Sequence, residues 1–185
     1  MQHPAIASGD QSSVDRQPSA MRIRQAHAHE TGLVAQVLTS AAESLAAKGR
    51  PLWSRAEVSE AAVKEHLRAG TYYIAMDDQG PVGVFLFQLE DRLFWPEVAE
   101  GSSAYIHKLA VAPRGQGRGL AHALLRHACQ LTREHGRRFL RLDCEAGRPK
   151  LSAVYERFGF RHHSEKVLGE QVFHRYEFEV GSADA

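Results

Sequence analysis

Tyr105-Ile106-His107-Lys108-Leu109-Ala110-Val111 is an apolar, β-rich run. Ala112-Pro113 links it to Arg114-Gly115-Gln116-Gly117-Arg118-Gly119-Leu120-Ala121. Leu120, Leu124, Leu125, Ala128 and Leu131 then recur at helical spacing, so the pattern predicts a strand, a glycine turn and a helix over about 117–135. Three glycines at alternate positions strip one side of the turn of side chains. Their N–H groups can converge on an anion at the helix N-terminus, where the dipole also favours negative charge. Arg114 and Arg118 add cationic donors, which completes the chemistry of a phosphate cradle. Two phosphate motifs are excluded. A G-x-G-x-x-G pattern from Gly115 needs glycine where Leu120 stands, and the Gly-Lys-Ser/Thr of a P-loop does not occur.

Outward from this unit, Met21–Ala26 alternates as a short strand, and Leu33, Val34, Val37, Leu38, Ala41, Ala42 and Leu45 mark a helix over about 31–48, stopped by Gly49 and Pro51. A second helix is expected over about 55–69. Thr71–Met76 and Val82–Leu89 flank an Asp-Asp-Gln-Gly-Pro turn as a hairpin, and a loop over 90–103 carries Phe94, Trp95 and Pro96. Beyond the long helix, Phe139–Cys144 reads as a strand. Leu151, Val154, Tyr155 and Phe158 make one face of a short helix between Pro149 and Gly159, and 160–180 closes as a hairpin. The order predicts an α/β (α+β) fold: a mixed, mostly antiparallel sheet of six to seven strands with helices on both faces, two strands being joined in parallel by a helix. Residues 1–20, rich in Ser, Gln, Asp and Pro, are expected to be a disordered tail, 21–180 a single domain and 181–185 a second tail.

At 185 residues and a net charge of +1, the chain has one domain's length and no global charge arguing for nucleic acid or membrane. No apolar stretch reaches ~18 residues, and the start lacks the pattern of a signal peptide. Cys129 and Cys144 have no metal-type spacing and fit packing roles in a reducing, cytoplasmic compartment. The neutral total conceals a split. Acidic residues outnumber basic ones by 11 to 6 between Glu30 and Glu100, whereas basic residues outnumber acidic ones by 9 to 3 between Ala112 and Lys150. The basic block suits a polyanion bound at the glycine turn, or else is a solvated arginine-rich helix face.

Taken together, the strand with its Arg114-x-x-Gly117-x-Gly119 turn, Leu140-Arg141-Leu142-Asp143-Cys144 and Leu151-x-x-x-Tyr155-x-x-x-Gly159-Phe160 resemble the GNAT superfamily of acyl-CoA N-acyltransferases over about residues 21–180. The resemblance implies acetyl-CoA as cosubstrate and an amine as acceptor, with no metal. It places the coenzyme along Leu109, Ala110, Val111, Arg114, Gly115, Gln116, Gly117, Arg118, Gly119 and Leu120, with Ser152 and Tyr155 on the short helix. It further implies that the Leu109 N–H bonds the thioester carbonyl and that Tyr155 protonates the departing thiolate. His107 is then a base, directly or through a water. Family members are often dimers. Many also carry Asn ahead of the short helix, where this chain has Gly147-Arg148-Pro149.

Each role has a plainer counterpart. Tyr155 suits core packing, and His107 suits a sheet position on one face with Tyr105, Leu109 and Val111. Glu90 or a water chain is an alternative base. Trp53, Phe94, Trp95 and Glu90 are expected at the acceptor pocket, Trp95 either as its wall or as a plug over the sheet. Acids on the loop (Glu90, Asp91, Glu97, Glu100) either attract a cationic amine or are solvated. Cys144 as a nucleophile lacks a partnered base. A non-catalytic acyl-CoA-binding module, or an acetyltransferase acting on a protein lysine or N-terminus, fits the same motifs.

Overall fold

A computed structural model describes residues 21–181. Its elements run β1 (Arg22–Gln25), α1 (Thr31–Ala47), α2 (Glu60–His66), β2 (Thr71–Asp77), β3 (Gly80–Gln88), β4 (Ser103–Val111), α3 (Leu120–Glu134), β5 (Phe139–Glu145), α4 (Pro149–Phe158), β6 (Arg161–Leu168) and β7 (Gln171–Glu179). The strands form one seven-stranded sheet in the order β1-β2-β3-β4-β5-β7-β6. Every pairing is antiparallel except β4 with β5. The helix α3 makes that parallel connection, as the sequence pattern requires.

Helices cover both faces. Tyr73 and Phe85 pack on His127 of α3, while Tyr72, the next residue along β2 and so on the opposite face, meets His66 of α2 at 2.9 Å. The core between these layers is built from buried Leu, Val, Ile and Phe side chains, Leu38, Ile74, Phe85, Leu124 and Leu140 among them.

Two helix starts differ from the expected ones. The segment over 55–69 begins as a 3-10 turn (Ala56–Val58), and α2 starts only after Ser59, whose backbone is extended and whose hydroxyl accepts from the Ala62 N–H at 3.2 Å. The α3 start is Leu120 because Gly117 and Gly119 adopt left-handed backbone (φ +76° and +73°), which a helix cannot include. The tails expected at 1–20 and 181–185 lie, apart from Gly181, outside the described residues.

The sheet feature that positions the site is a split. β4 and β5 pair only from Ser103/Phe139 to Tyr105/Arg141. Beyond that, β4 stays with β3 and β5 stays with β7, so the two diverge from Ile106 and Leu142 onward. A bulge in β4 accompanies the split: Leu86 faces His107 and Val84 faces Ala110, so Lys108 and Leu109 together oppose one β3 residue, Phe85. Lys108 takes φ +51°, rare for a residue with a Cβ. The expected alternation of Tyr105, His107, Leu109 and Val111 on one face is therefore corrected. His107 shares its face with Ala110, not with Val111, because the bulge adds one residue to the count.

Candidate active site

The opening between β4 and β5 is a cavity of about 300 Å³. His107, Lys108 and Leu109 contribute from the β4 bulge, Asp143, Cys144 and Glu145 from β5, and Leu151 and Tyr155 from α4. Leu52, Trp53 and Glu57 close one side, Phe94 and Phe173 another. Four consecutive β4 residues, Ile106 to Leu109, line the cavity where the bulge interrupts the two-residue alternation.

Register explains the central cluster. Tyr105 stands beside Arg141, so His107 and Asp143, each two residues further on, share a face where the strands part. His107 Nδ1 lies 3.4 Å from Asp143 Oδ1, and His107 Nε2 lies 3.1 Å from Asp91 Oδ2. Asp91 arrives from the 90–103 loop. Its Oδ1 accepts the N–H groups of Leu93 (3.1 Å) and Phe94 (3.0 Å), a tight turn that leaves Oδ2 for the imidazole.

The three groups titrate as one cluster. Burial drives the Asp143 carboxyl up, to about 6, against the pull of the imidazole. Asp91 is also buried, but His107 and its two backbone N–H donors hold it below the usual carboxylate range. Burial opposes a charged imidazole at His107, yet the flanking carboxylates outweigh it and raise its pKa. His107, expected from sequence as a base, thus has surroundings that favour its proton, beside a carboxylate that titrates near neutrality.

Asp91, His107 and Asp143 are also residue types that bind metals, with ligand atoms within 4.8 Å of one another. The imidazole stands between the carboxylates with a different ring nitrogen toward each, an arrangement that suits proton sharing.

Tyr155 is buried on the cavity side of α4, near Phe160 and Tyr176, and burial pushes its phenol pKa well up, so it stays protonated. The Cys144 thiol is raised to about 11, chiefly by burial, and so is a poor nucleophile at neutral pH. Ser152 faces away, 3.9 Å from the Cys144 sulfur and along a groove with His162, His174 and Tyr176.

The glycine turn borders a second cavity, reached from the first through a third. Val154 links a cavity of about 380 Å³ at Gly117, Gly119 and Leu120 to one of about 360 Å³ over Pro149, and Leu52 and Leu151 link the latter to the central cavity. The three glycines do different work. A Cβ on Gly115 would come within 2.5 Å of Val82, so this glycine permits packing; Gly117 and Gly119 have open space and supply the left-handed backbone. The N–H groups of Gly115 and Gln116 are bonded inside the turn, to the carbonyls of Ala112 and Pro113. The first N–H groups of α3 lack intrahelical partners and carry its positive dipole end.

Arg114 does not point outward as a free cation. It donates to both Asp77 oxygens (2.8 and 2.7 Å) and to the carbonyls of Gly80 and Pro81 (2.9 Å each), tying the turn to the β2–β3 hairpin. Arg118 is exposed, and Arg157, not singled out from sequence, lines the turn cavity. Arg148 is held by Glu145 and the Pro51 carbonyl.

Two expected acceptor residues are elsewhere. Trp95 is 2% exposed and does not line the cavity. It is flanked by the guanidinium groups of Arg175 (4.6 Å) and Arg141 (4.9 Å), covering Tyr105, so it plugs the sheet. Glu90 is half exposed and pairs with Arg137 at 3.9 Å, also outside the cavity. Phe94, also expected there, does line the cavity, 5.9 Å from the His107 ring, and Asp91, the neighbour of Glu90, sits on that histidine. Asp143, Lys108 and Glu57 were likewise missed. The available signal was a charged residue inside an otherwise apolar strand, as at Lys108 and Asp143.

Residues 38–160 match the acetyltransferase (GNAT) family. A curated relative, "Uncharacterized N-acetyltransferase YesJ" of Bacillus subtilis (strain 168), is 32% identical over 90 residues, spanning 46% of this chain and 47% of that protein's length. An acetyltransferase of the GNAT family from Listeria monocytogenes shares the fold with TM-score 0.70 at 20% identity, over 86% of this chain and 94% of the other. A GNAT family acetyltransferase from Elizabethkingia anophelis, solved with acetyl-CoA bound, has TM-score 0.61 at 14% identity, over 86% and 97%. With its family match running across the β4–α3 unit and α4, the chain belongs to the acetyltransferase (GNAT) family.

Proposed function

We propose that this protein transfers an acetyl group from acetyl-CoA directly to a small primary amine, with both bound together. The observation that carries the reading is the row of adjoining cavities from the glycine turn to the β4–β5 opening, bordered in common by Val154, Leu151 and Leu52, with Tyr155 and the His107–Asp143 pair lining the last. Its residues fit the coenzyme. The α3 N-terminus with Gly117 and Gly119 suits the pyrophosphate, joined by Arg118 and Arg157, while Arg114 holds the turn in place. The unpaired β4 edge from Leu109 to Val111 offers backbone groups to an extended arm, with Ala110 as its buried anchor.

Acetyl-CoA supplies an acyl group activated as a thioester. The Leu109 N–H, at the bulge, is positioned to steady charge on the carbonyl oxygen. An amine must lose a proton to attack, and the His107–Asp143 pair takes it, directly or through a water; Asp91 fixes the ring and its proton. Tyr155 protonates the leaving thiolate. The Leu52–Glu57 segment and Phe94 with Phe173 narrow the opening, which favours a small acceptor over a protein lysine or N-terminus.

The test is acetyl-CoA consumption across an amine panel, with Tyr155→Phe as control. Turnover that falls on the substitution while acetyl-CoA binding persists is expected. Tight binding with no turnover for any acceptor supports a non-catalytic acyl-CoA-binding module and rejects the reading.

A further inference from the structure

One charged group in the central cavity has no part in that chemistry. Lys108 sits on the β4 bulge with its side chain only 16% exposed, lining the cavity beside His107 and Asp143. Its ammonium lies 5.0 Å over the Trp53 ring and 3.9 Å from Glu57 Oε1, a separation too long for a hydrogen bond. The other Glu57 oxygen is already engaged, accepting the Ser54 N–H and hydroxyl at 2.8 Å each. Trp53 offers a π face but no acceptor.

Thus a largely desolvated ammonium, held by one loose ion pair and a π face and by no hydrogen bond, belongs to a residue that lines the cavity where the acceptor amine must sit. Burying such a group without full pairing is costly, and its lowered pKa registers that cost, chiefly as desolvation. The backbone adds to it, since φ +51° at a residue with a Cβ is held only where the surroundings impose it. Opposite charge is close by: Asp143 and Glu145 line the β5 side of the same cavity. A cavity with carboxylates on one wall and an under-paired ammonium on another matches a ligand carrying both charges.

We propose that the acceptor is an amino-acid-like zwitterion, whose ammonium faces Asp143 and whose carboxylate is anchored by Lys108. This inference rests on the acetyl-transfer reading above and names the substrate class for that site. Lys108 binds the acceptor and takes no part in proton transfer. Its carboxylate contact fixes the amine beside the His107–Asp143 pair, so a neutral analogue loses both affinity and orientation.

The experiment compares matched acceptors with the full-length chain and acetyl-CoA. The common α-amino acids, with β-alanine and 4-aminobutyrate, are each set beside their carboxamides and their decarboxylated amines, with rates corrected for the free-amine fraction. Acetyl-CoA binding is measured separately by calorimetry, so a failed donor site is distinguished from a failed acceptor assignment. For at least one member, kcat/KM is expected to be tenfold or more higher for the acid than for its amide, about the discrimination an unfilled buried polar contact produces. Lys108→Met should close that gap through KM for the acid, and Lys108→Arg should keep part of it. Amides or simple amines turned over as well as the acids would overturn the proposal, as would a preference that survives Lys108→Met. With acetyl-CoA bound normally, no turnover of any acid would also overturn it. So would mass spectrometry showing an acetyl group on Lys108 itself, which would make it a nucleophile.

Discussion

The glycine-turn end of the row of cavities and the β4–β5 end are built in opposite ways. At the turn, a dozen contiguous residues from Leu109 to Leu120 are tied to the end of β2 through Asp77, which meets Arg114 at 2.7 Å and Arg118 at 3.5 Å. At the other end, side chains converge from Trp53, Asp91, His107, Lys108, Asp143 and Phe173, spread over most of the chain. Local backbone conformation shapes the first end, and strand register and burial shape the second. Substitutions at the turn should therefore act on acetyl-CoA affinity, and substitutions in the cluster on the chemical step.

The largest expected effect is at the two sides of His107. Asp143→Asn removes the carboxylate that titrates near neutrality. We expect kcat to fall ~10²–10³-fold, the usual contribution of a positioned acid–base group. In the wild type, kcat/KM should decline as pH falls through about 6, the value at which the buried Asp143 takes up its proton. His107→Asn should lower kcat comparably and move any residual limb upward, since Asp143 then faces the Asp91 charge without the intervening cation. A wild-type limb unchanged by both substitutions would reject the assignment.

The same substitution separates function from stability. Because Asp143 has a folded-state pKa above its ordinary one, its contribution is fully present below the usual carboxylate range and is lost as pH rises to about 6. The ionised carboxylate therefore burdens the fold at neutral pH. Asp143→Asn should stabilise the protein at pH 7.5 by about 1–2 kcal/mol, read as a Tm rise of a few degrees, while costing activity. The same comparison at pH 4 should show little difference.

Tyr155→Phe comes next. The hydroxyl is buried and held protonated, and the ring packs near Phe160 and Tyr176 in either form. We expect kcat to fall ~10–10²-fold with acetyl-CoA KM nearly unchanged. A thiol leaving group of lower pKa should recover part of the loss, because it needs less protonation.

The contrast between the ends also decides what could be read in the sequence. Arg114-Gly115-Gln116-Gly117-Arg118-Gly119 announces its conformation locally, since left-handed backbone calls for glycine and the signal lies in consecutive residues. The element order was equally legible, because hydrophobic period and capping residues are local properties, as at Pro149 and Gly159 around α4. The cluster was not. Asp91 reads as a solvated loop acid until its turn is folded, and Asp143 reads as the end of a strand until β4 parts from β5. The Lys108 bulge has no glycine to mark it; it arises where the β3–β4 register shifts between Val84 and Leu86, which is a tertiary fact. Trp95 shows the reverse error: a large aromatic on a loop suggests a ligand wall, but Arg141 and Arg175 bury it against the sheet.

At the turn itself, Gly119→Ala should raise acetyl-CoA KM about tenfold with a smaller change in kcat. The position has φ +73° and open space around it, so the cost is backbone strain at the α3 N-terminus, roughly 1 kcal/mol. Gly115→Ala acts differently. Its Cβ would press on Val82, and so it should lower Tm more than it alters KM.

The smallest effect tests whether the turn is positioned from outside. Asp77 lies at the end of β2, remote from the reacting groups, yet both its oxygens accept from Arg114, and Arg118 approaches at 3.5 Å. These two arginines, with the Gln79 N–H, hold its carboxyl below the ordinary range. Asp77→Asn keeps the shape and one acceptor but removes the charge. Arg114 retains the Gly80 and Pro81 carbonyls, so the turn should loosen without unfolding. We expect acetyl-CoA KM to rise about two- to fivefold, kcat to stay within twofold, and Tm to fall by little, in keeping with a solvent-accessible arginine partner. If Arg114 instead served the phosphates directly, freeing it from Asp77 would tighten acetyl-CoA binding. The direction of the KM change therefore decides whether this arginine anchors the turn or the ligand.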